Sequence, residues 1–155
     1  MRAWLGLIIF ISCLIFFCRS PRKEKTESIQ KEPTRINLMI KNAKIAVEIV
    51  DTEEKRMLGL MYRSALAQDQ GMLFIFDQVG TYPFYMKNTK IPLSIAFIDS
   101  NGIILDIQQM TPFDEQTEHY PNEPFLFALE TNQGWFLEKR IKVGDTVFGM
   151  PKYKQ

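Results

Sequence analysis

Apolar positions fall along this chain in short runs, and the runs do not share one period. Residues 44–50 alternate, with Ile45, Val47 and Ile49 on one side, as a half-buried strand does. A short strand is predicted before it at residues 37–40, across a turn at Lys41-Asn42. Asp51 and Glu54 have the spacing of a capping box, and Glu53 adds an acid to the first turn. A helix is therefore predicted over residues 52–60, ending near Gly59 and carrying Met57 on the same side as Met61. Apolar strands are predicted at residues 71–76 (GMLFIF), 93–99, 103–110 and 125–130 (FLFALE). Ser100-Asn101-Gly102 joins two of them, and Asn-Gly between apolar runs signals a hairpin. Residues 80–83 read as a loop and 112–124 as a long polar loop. Gly134 opens a helical piece at residues 135–140, and Gly144-Asp145 turns into a last strand at 146–150. Seven or so short strands and two short helices predict a mainly β (α+β) fold, a compact single-domain barrel or sandwich.

The N-terminal residues break this pattern. Residues 3–18 are apolar and uncharged after Arg2. The run is slightly short for a spanning helix, which needs roughly 20 apolar residues, and suits the apolar core of an export signal. Residues 1–18 are therefore expected to be a signal peptide or membrane anchor. Cys18 is the candidate lipidation site because the polar segment starts directly after it, although Phe17 stands where lipoprotein signals favour a small residue. Cys13 follows Ser12 but would leave four apolar residues at a mature N-terminus. Residues 19–35 are polar and mixed in charge, too poor in apolar surface to fold, and are expected to tether a domain spanning 36–152. The expected address is the cell envelope, membrane-anchored and facing the periplasm or exterior. Arg19, Arg22, Lys23 and Lys25 after the run oppose this under the positive-inside rule; the short signal and tether outweigh them.

Composition narrows the chemistry. The 155 residues are 46% hydrophobic and 24% charged, with a net charge of +1, so no whole-chain attraction to nucleic acid is expected. Both cysteines lie in the N-terminal run, leaving the domain without a disulfide, a thiolate nucleophile or a thiolate metal site. One histidine, His119, is too few for a zinc site, and its polar loop predicts a solvated side chain. No nucleotide-binding or hydrolase motif is present. No cofactor is expected.

Gly59-Leu-Met-Tyr-Arg63, Gly71-Met-Leu-Phe, Met86-Lys-Asn-Thr89, Asp99-x-x-Gly102, Leu129-Glu130 and Gly144-Asp145 occur in that order. In order and approximate spacing they resemble the DUF192 family, small and often exported bacterial and archaeal domains. The resemblance spans about residues 36–149 and implies a mostly β single domain with no established activity. Two positions depart from the family pattern. Tyr85 stands where a Trp is usual, and Ser94-Ile95 lacks the usual Asp, which removes a carboxylate beside the Met86–Thr89 bend.

That bend is the strongest site candidate. Lys87 supplies charge, Asn88 donors and an acceptor, and Thr89 a hydroxyl. With Arg63 they could clasp an anionic or sugar-like group, and Tyr85 or Trp135 could supply an apolar wall. Glu130 ends an apolar strand and is expected to pair with Arg63 or Lys87 across the domain. The expected function is a membrane-tethered binding module for a small ligand or an envelope protein. One alternative is an envelope hydrolase or lyase using Asp99 or Glu130 with Lys87, although Asp99 could equally hold its own turn. Another is thioether binding of Cu(I) by Met57, Met61, Met72 and Met86; core packing is the favoured role for these side chains. Arg56 is expected to be a solvated helix residue.

Overall fold

The computed structural model describes residues 33–152. The N-terminal apolar run, Cys13, Cys18 and most of the expected tether lie outside the described residues. Among the described residues, no helix is long and apolar enough to cross a membrane.

Seven strands and two short helices follow one another: β1 (Arg35–Ile40), β2 (Ala43–Val50), α1 (Glu53–Leu58), β3 (Gln70–Gly80), β4 (Leu93–Ile98), β5 (Ile104–Met110), β6 (Phe125–Asn132), α2 (Trp135–Glu138) and β7 (Val147–Phe148). This is the mainly β class that the patterning predicts. The Thr34 carbonyl accepts a 2.9 Å bond from Ile49 N–H, so Thr34 and Arg35, expected in the tether, already belong to the sheet edge.

The strands form one sheet in the order β5-β4-β6-β3-β2-β1-β7. Only β2 and β3 run parallel, and parallel neighbours need a crossover; α1 and the segment after it supply one. The sheet curls until its edges meet. Ile103 bridges Thr146, and Val147 N–H donates to the Gly102 carbonyl at 2.8 Å. This contact ties the start of β5 to β7 and covers backbone that would otherwise invite pairing with another chain.

Each face of the sheet carries its own apolar cluster. Leu38, Ile45, Val47, Leu73, Ile98 and Leu129 fill the inside of the curl. Trp135 and Phe136 of α2 belong to this cluster, so Trp135 is a core residue and not the ligand wall expected from the sequence. Its indole N–H donates to Asp69 at 3.0 Å. Phe74, Phe76, Phe84, Met86, Phe97 and Phe125 form the second cluster. Being covered on both sides, β4 is buried at every position and β6 at all but its last, which accounts for their unbroken apolar sequences. The alternation of β2 holds at Ile45 and Val47 but ends on buried Val50, which belongs to the second cluster.

Helix α1 starts one residue later than the capping-box spacing predicts. Thr52 is the N-cap, accepting from Lys55 N–H at 3.4 Å. Asp51 instead pairs with the Lys55 ammonium at 2.7 Å, an i,i+4 contact that competes with the cap. The β4–β5 turn forms as expected: Asp99 Oδ1 accepts from Asn101 and Ile103 N–H, both at 2.8 Å, and Gly102 adopts φ 86°.

Gly71 is required by close approach. A Cβ there would lie 2.6 Å from the Glu130 carbonyl oxygen and 3.2 Å from Ile45 Cδ1. Gly71→Ala is expected to lower stability by about 2 kcal/mol or more; urea unfolding would measure it, and an unchanged midpoint would contradict the geometry.

Candidate functional site

The pairing of β3 with β6 is interrupted between Ile75 and Gly80, and its pairing with β2 ends at Phe74. The Ile75 carbonyl therefore needs a donor from elsewhere. Arg56, one turn into α1, supplies it: its guanidinium donates to Ile75 O at 2.7 Å and reaches Asp77 at 3.4 Å. The same group sits 5.3 Å from the centre of the Phe76 ring, within cation–π range. Arg56 is thus anchored and largely buried, not the solvated residue expected. The reason is tertiary, because the free carbonyl is created by a bulge nineteen residues away.

The chain after the bulge folds back over β3. Tyr82 stacks on Phe76 with centroids 4.0 Å apart, and Phe84 meets Phe74 edge-on at 5.0 Å. Phe84 is also held by reciprocal backbone bonds with His119 at 2.8 and 2.9 Å. Between this segment and α1 lies a cavity of about 380 Å³. Its walls are mainly apolar, with Met57, Met61, Phe74, Tyr82, Phe84 and Tyr85 prominent. Arg56, Glu53, Thr89 and Glu130 add polar groups.

Glu130 is the chemically unusual member. Its Cα neighbours across the ladders are Met72 and Ile95, both buried. Only 6% of the residue is exposed. Among the described residues its carboxyl has no hydrogen-bond or ionic partner. Loss of hydration disfavours the charged form, and burial pushes the Glu130 carboxyl up to about 8. It is a neutral acid at pH 7, aimed into an aromatic cavity.

The structure separates the residues that the sequence groups together. Tyr85, Thr89 and Glu130 line the cavity. Arg63 lies elsewhere, gripping both carboxylate oxygens of Glu48 at 2.8 and 2.9 Å, so the expected pairing with Glu130 is not formed. Lys87 is exposed, and neither it nor Asn88 lines the cavity. Asn88 is a fastener: its amide donates to the Tyr62 hydroxyl at 2.9 Å, and its carbonyl accepts from Tyr62 N–H at 3.0 Å. The Thr89 carbonyl accepts from Phe113 N–H at 3.0 Å. Tyr62, Asn88 and Phe113 all have left-handed backbones, so three tight bends are joined at this point.

Asp99 is occupied by its own turn and is not in the cavity, so it does not form a catalytic pair there with Glu130. The four methionines also divide. Met72 and Met86 are core. Met57 is 64% exposed and, with Met61, lines the cavity, which leaves two thioethers there and not four. Ser94 is buried and accepts from Gly134 N–H at 2.9 Å, so this departure from the family pattern anchors the start of α2. His119 is half-buried, not solvated: Nδ1 contacts Gln108 Oε1 at 3.1 Å, and Nε2 is buried without a partner. Burial lowers its pKa. The sequence signals that pointed to the cavity were the acid ending FLFALE and Tyr85 as an apolar wall; the role of Arg56 had no local signal.

The family model of DUF192, described as an uncharacterized ACR family, matches residues 36–149. The chain belongs to the DUF192 family. Two solved structures share the fold of this DUF192 domain. One is a "putative transcription regulator" from Sinorhizobium meliloti 1021, 32% identical with a TM-score of 0.72, the match covering 76% of this chain and 95% of that one. The other is a protein of unknown function from Novosphingobium aromaticivorans DSM 12444, 28% identical with a TM-score of 0.71, the match covering 78% and 89%. No curated protein matches the chain.

The isolation of Glu130 has a pH consequence. Its folded pKa is raised from 4.5 to about 8, so the unfolded chain loses this proton first as pH rises. Its contribution is favourable below the unfolded value and is lost as pH climbs toward the folded one. Glu130→Gln is expected to leave the melting temperature near wild type at acid pH and to raise it above wild type on the alkaline side of the folded pKa. Equal melting temperatures on that side would show that the carboxyl is hydrated or paired. For Arg56→Ala, loss of the bond to Ile75 O predicts destabilisation of about 1.5–3 kcal/mol, read by urea unfolding; an unchanged midpoint would mean that water replaces the guanidinium at no cost.

Proposed function

We propose that this chain is a membrane-tethered envelope domain that binds a small ligand in the cavity between α1 and the segment at residues 82–89. The observation that carries this reading is the unpartnered Glu130 carboxyl inside a mainly apolar chamber of about 380 Å³. Ligand sites are typically concave, mostly apolar and of roughly 300–1,000 Å³, with few polar groups to set orientation. The Met86–Thr89 bend takes part through Thr89, and Tyr85 just before it adds to the wall, while Lys87 stands free at the surface for contact with a partner. Fastened bends and the Arg56 anchor keep the walls preformed, which lowers the ordering cost of binding.

Binding is favoured over hydrolysis because Asp99 is committed to its turn, which leaves Glu130 without that second carboxylate. The tether reading rests on the sequence of residues 1–35, with Cys18 as the lipid-bearing residue and the domain facing the periplasm or exterior. Nucleic acid is not among the proposed partners, since a net charge of +1 supplies little of the phosphate neutralisation that such binding needs.

Two measurements test this. In a fragment screen by methionine-methyl NMR, hits are expected to shift the Met57 and Met61 methyls saturably. Shifts confined to the Lys87 and Asn88 amides would relocate the site to the outer face of the bend. Mass spectrometry of the mature chain is expected to find acylated Cys18 at the N-terminus; an intact Met1 with unmodified Cys13 and Cys18 would reject lipidation.

A further inference from the structure

The cavity reading leaves the class of ligand open, and the arrangement of donors narrows it. Arg56 directs its guanidinium to Ile75 O and Asp77. Tyr82 gives its hydroxyl proton to the Gln78 carbonyl at 3.1 Å. Thr89 gives its own to the Lys87 carbonyl at 3.1 Å. No described residue is left holding the Glu130 carboxyl. A polar group without a partner inside the protein is costly to enclose; the Glu130 oxygens are not fully enclosed and open to the cavity, where water or a bound molecule can meet them.

We infer that the cavity accepts a small, largely apolar molecule presenting a carbonyl or carboxylate oxygen, to which the protonated Glu130 carboxyl donates a hydrogen bond. The inference rests on the cavity reading and adds the polarity of the ligand. Two features of the geometry set that polarity. A carboxyl desolvated on a doubly covered strand keeps its proton at neutral pH and is then a donor. The cation already bordering the cavity is Arg56, which disfavours a second cation and favours a ligand with excess negative charge on oxygen.

The other ionisable groups around Glu130 do not reverse this. Helix α1 brings Arg56 and Glu53 to the cavity, and the 82–89 segment brings Tyr82 and Tyr85. The neighbouring strands β3 and β4 place apolar Met72 and Ile95 opposite Glu130. Glu53 is exposed and lies on the same helix as Arg56.

The test uses the full chain in phospholipid nanodiscs, observed through the Met57 and Met61 methyls, with three probes of similar shape: acetophenone, benzoate and benzamidine. Acetophenone is expected to bind and to weaken about 30-fold between about pH 6 and about pH 9.5 as Glu130 ionises. Benzoate is expected to follow the same trend with no greater loss, because the protonated fraction of Glu130 sets the limit for both. Comparison of the two distinguishes a carbonyl from a carboxylate as the preferred oxygen. Glu130→Gln is expected to keep acetophenone binding, through its amide N–H, while abolishing the pH dependence. Preferential binding of benzamidine, or affinity that strengthens as pH rises, would overturn the donor assignment while leaving the cavity as a ligand site. Failure of all three probes to move either methyl would overturn the cavity reading and the inference together.

Discussion

The constraint on which this domain depends is that its central strands are covered on both faces. β4 and β6 have no solvent side, so every side chain on them must be apolar or find a partner inside. Thr131 and Ser94, both buried, satisfy the rule by bonding to backbone atoms, the Asn132 carbonyl and the Gly134 amide. Glu130, next to Thr131 on β6 and opposite Ile95, does not. Its carboxyl opens into the cavity beside the second cluster, and it is kept neutral there by burial rather than balanced by a cation.

The cavity exists because two departures from regular structure coincide. The bulge in β3 releases the Ile75 carbonyl and takes residues 76–79 out of the β6 ladder, which resumes at Gly80. The parallel β2–β3 pair forces a crossover, which lays α1 over the same face. Arg56 joins the two by bonding from the helix to the freed carbonyl and lying against Phe76. One side chain thereby fixes the distance between the helix and the strand that bound the chamber. The Tyr62–Asn88 and Thr89–Phe113 bonds hold the far wall in the same way.

The motif that identifies the family thus does a different job from the one its polarity suggests. Lys87, Asn88 and Thr89 look like a ligand clasp in sequence because they are polar residues in an apolar block. In space, Asn88 is spent on joining bends, and only Tyr85 and Thr89 reach the cavity. Met57 and Met61 show the converse. They resemble core residues, yet a six-residue helix on the surface of a small sheet leaves Met57 largely exposed at the cavity.

Much of the fold was legible along the chain. Strand positions, the Asn101-Gly102 hairpin and the two short helices follow from local patterning, because apolar period and turn chemistry are properties of neighbouring residues. The family membership is likewise carried by motifs in order. Pairing between distant groups was not legible. Arg63 meets Glu48, Arg56 meets a carbonyl freed by a bulge, and Glu130 meets nothing, and none of these follows from residue type or spacing. Tertiary structure decided them, because the strand order brings β6 between β3 and β4, and only that placement determines which polar group is desolvated and which finds a partner.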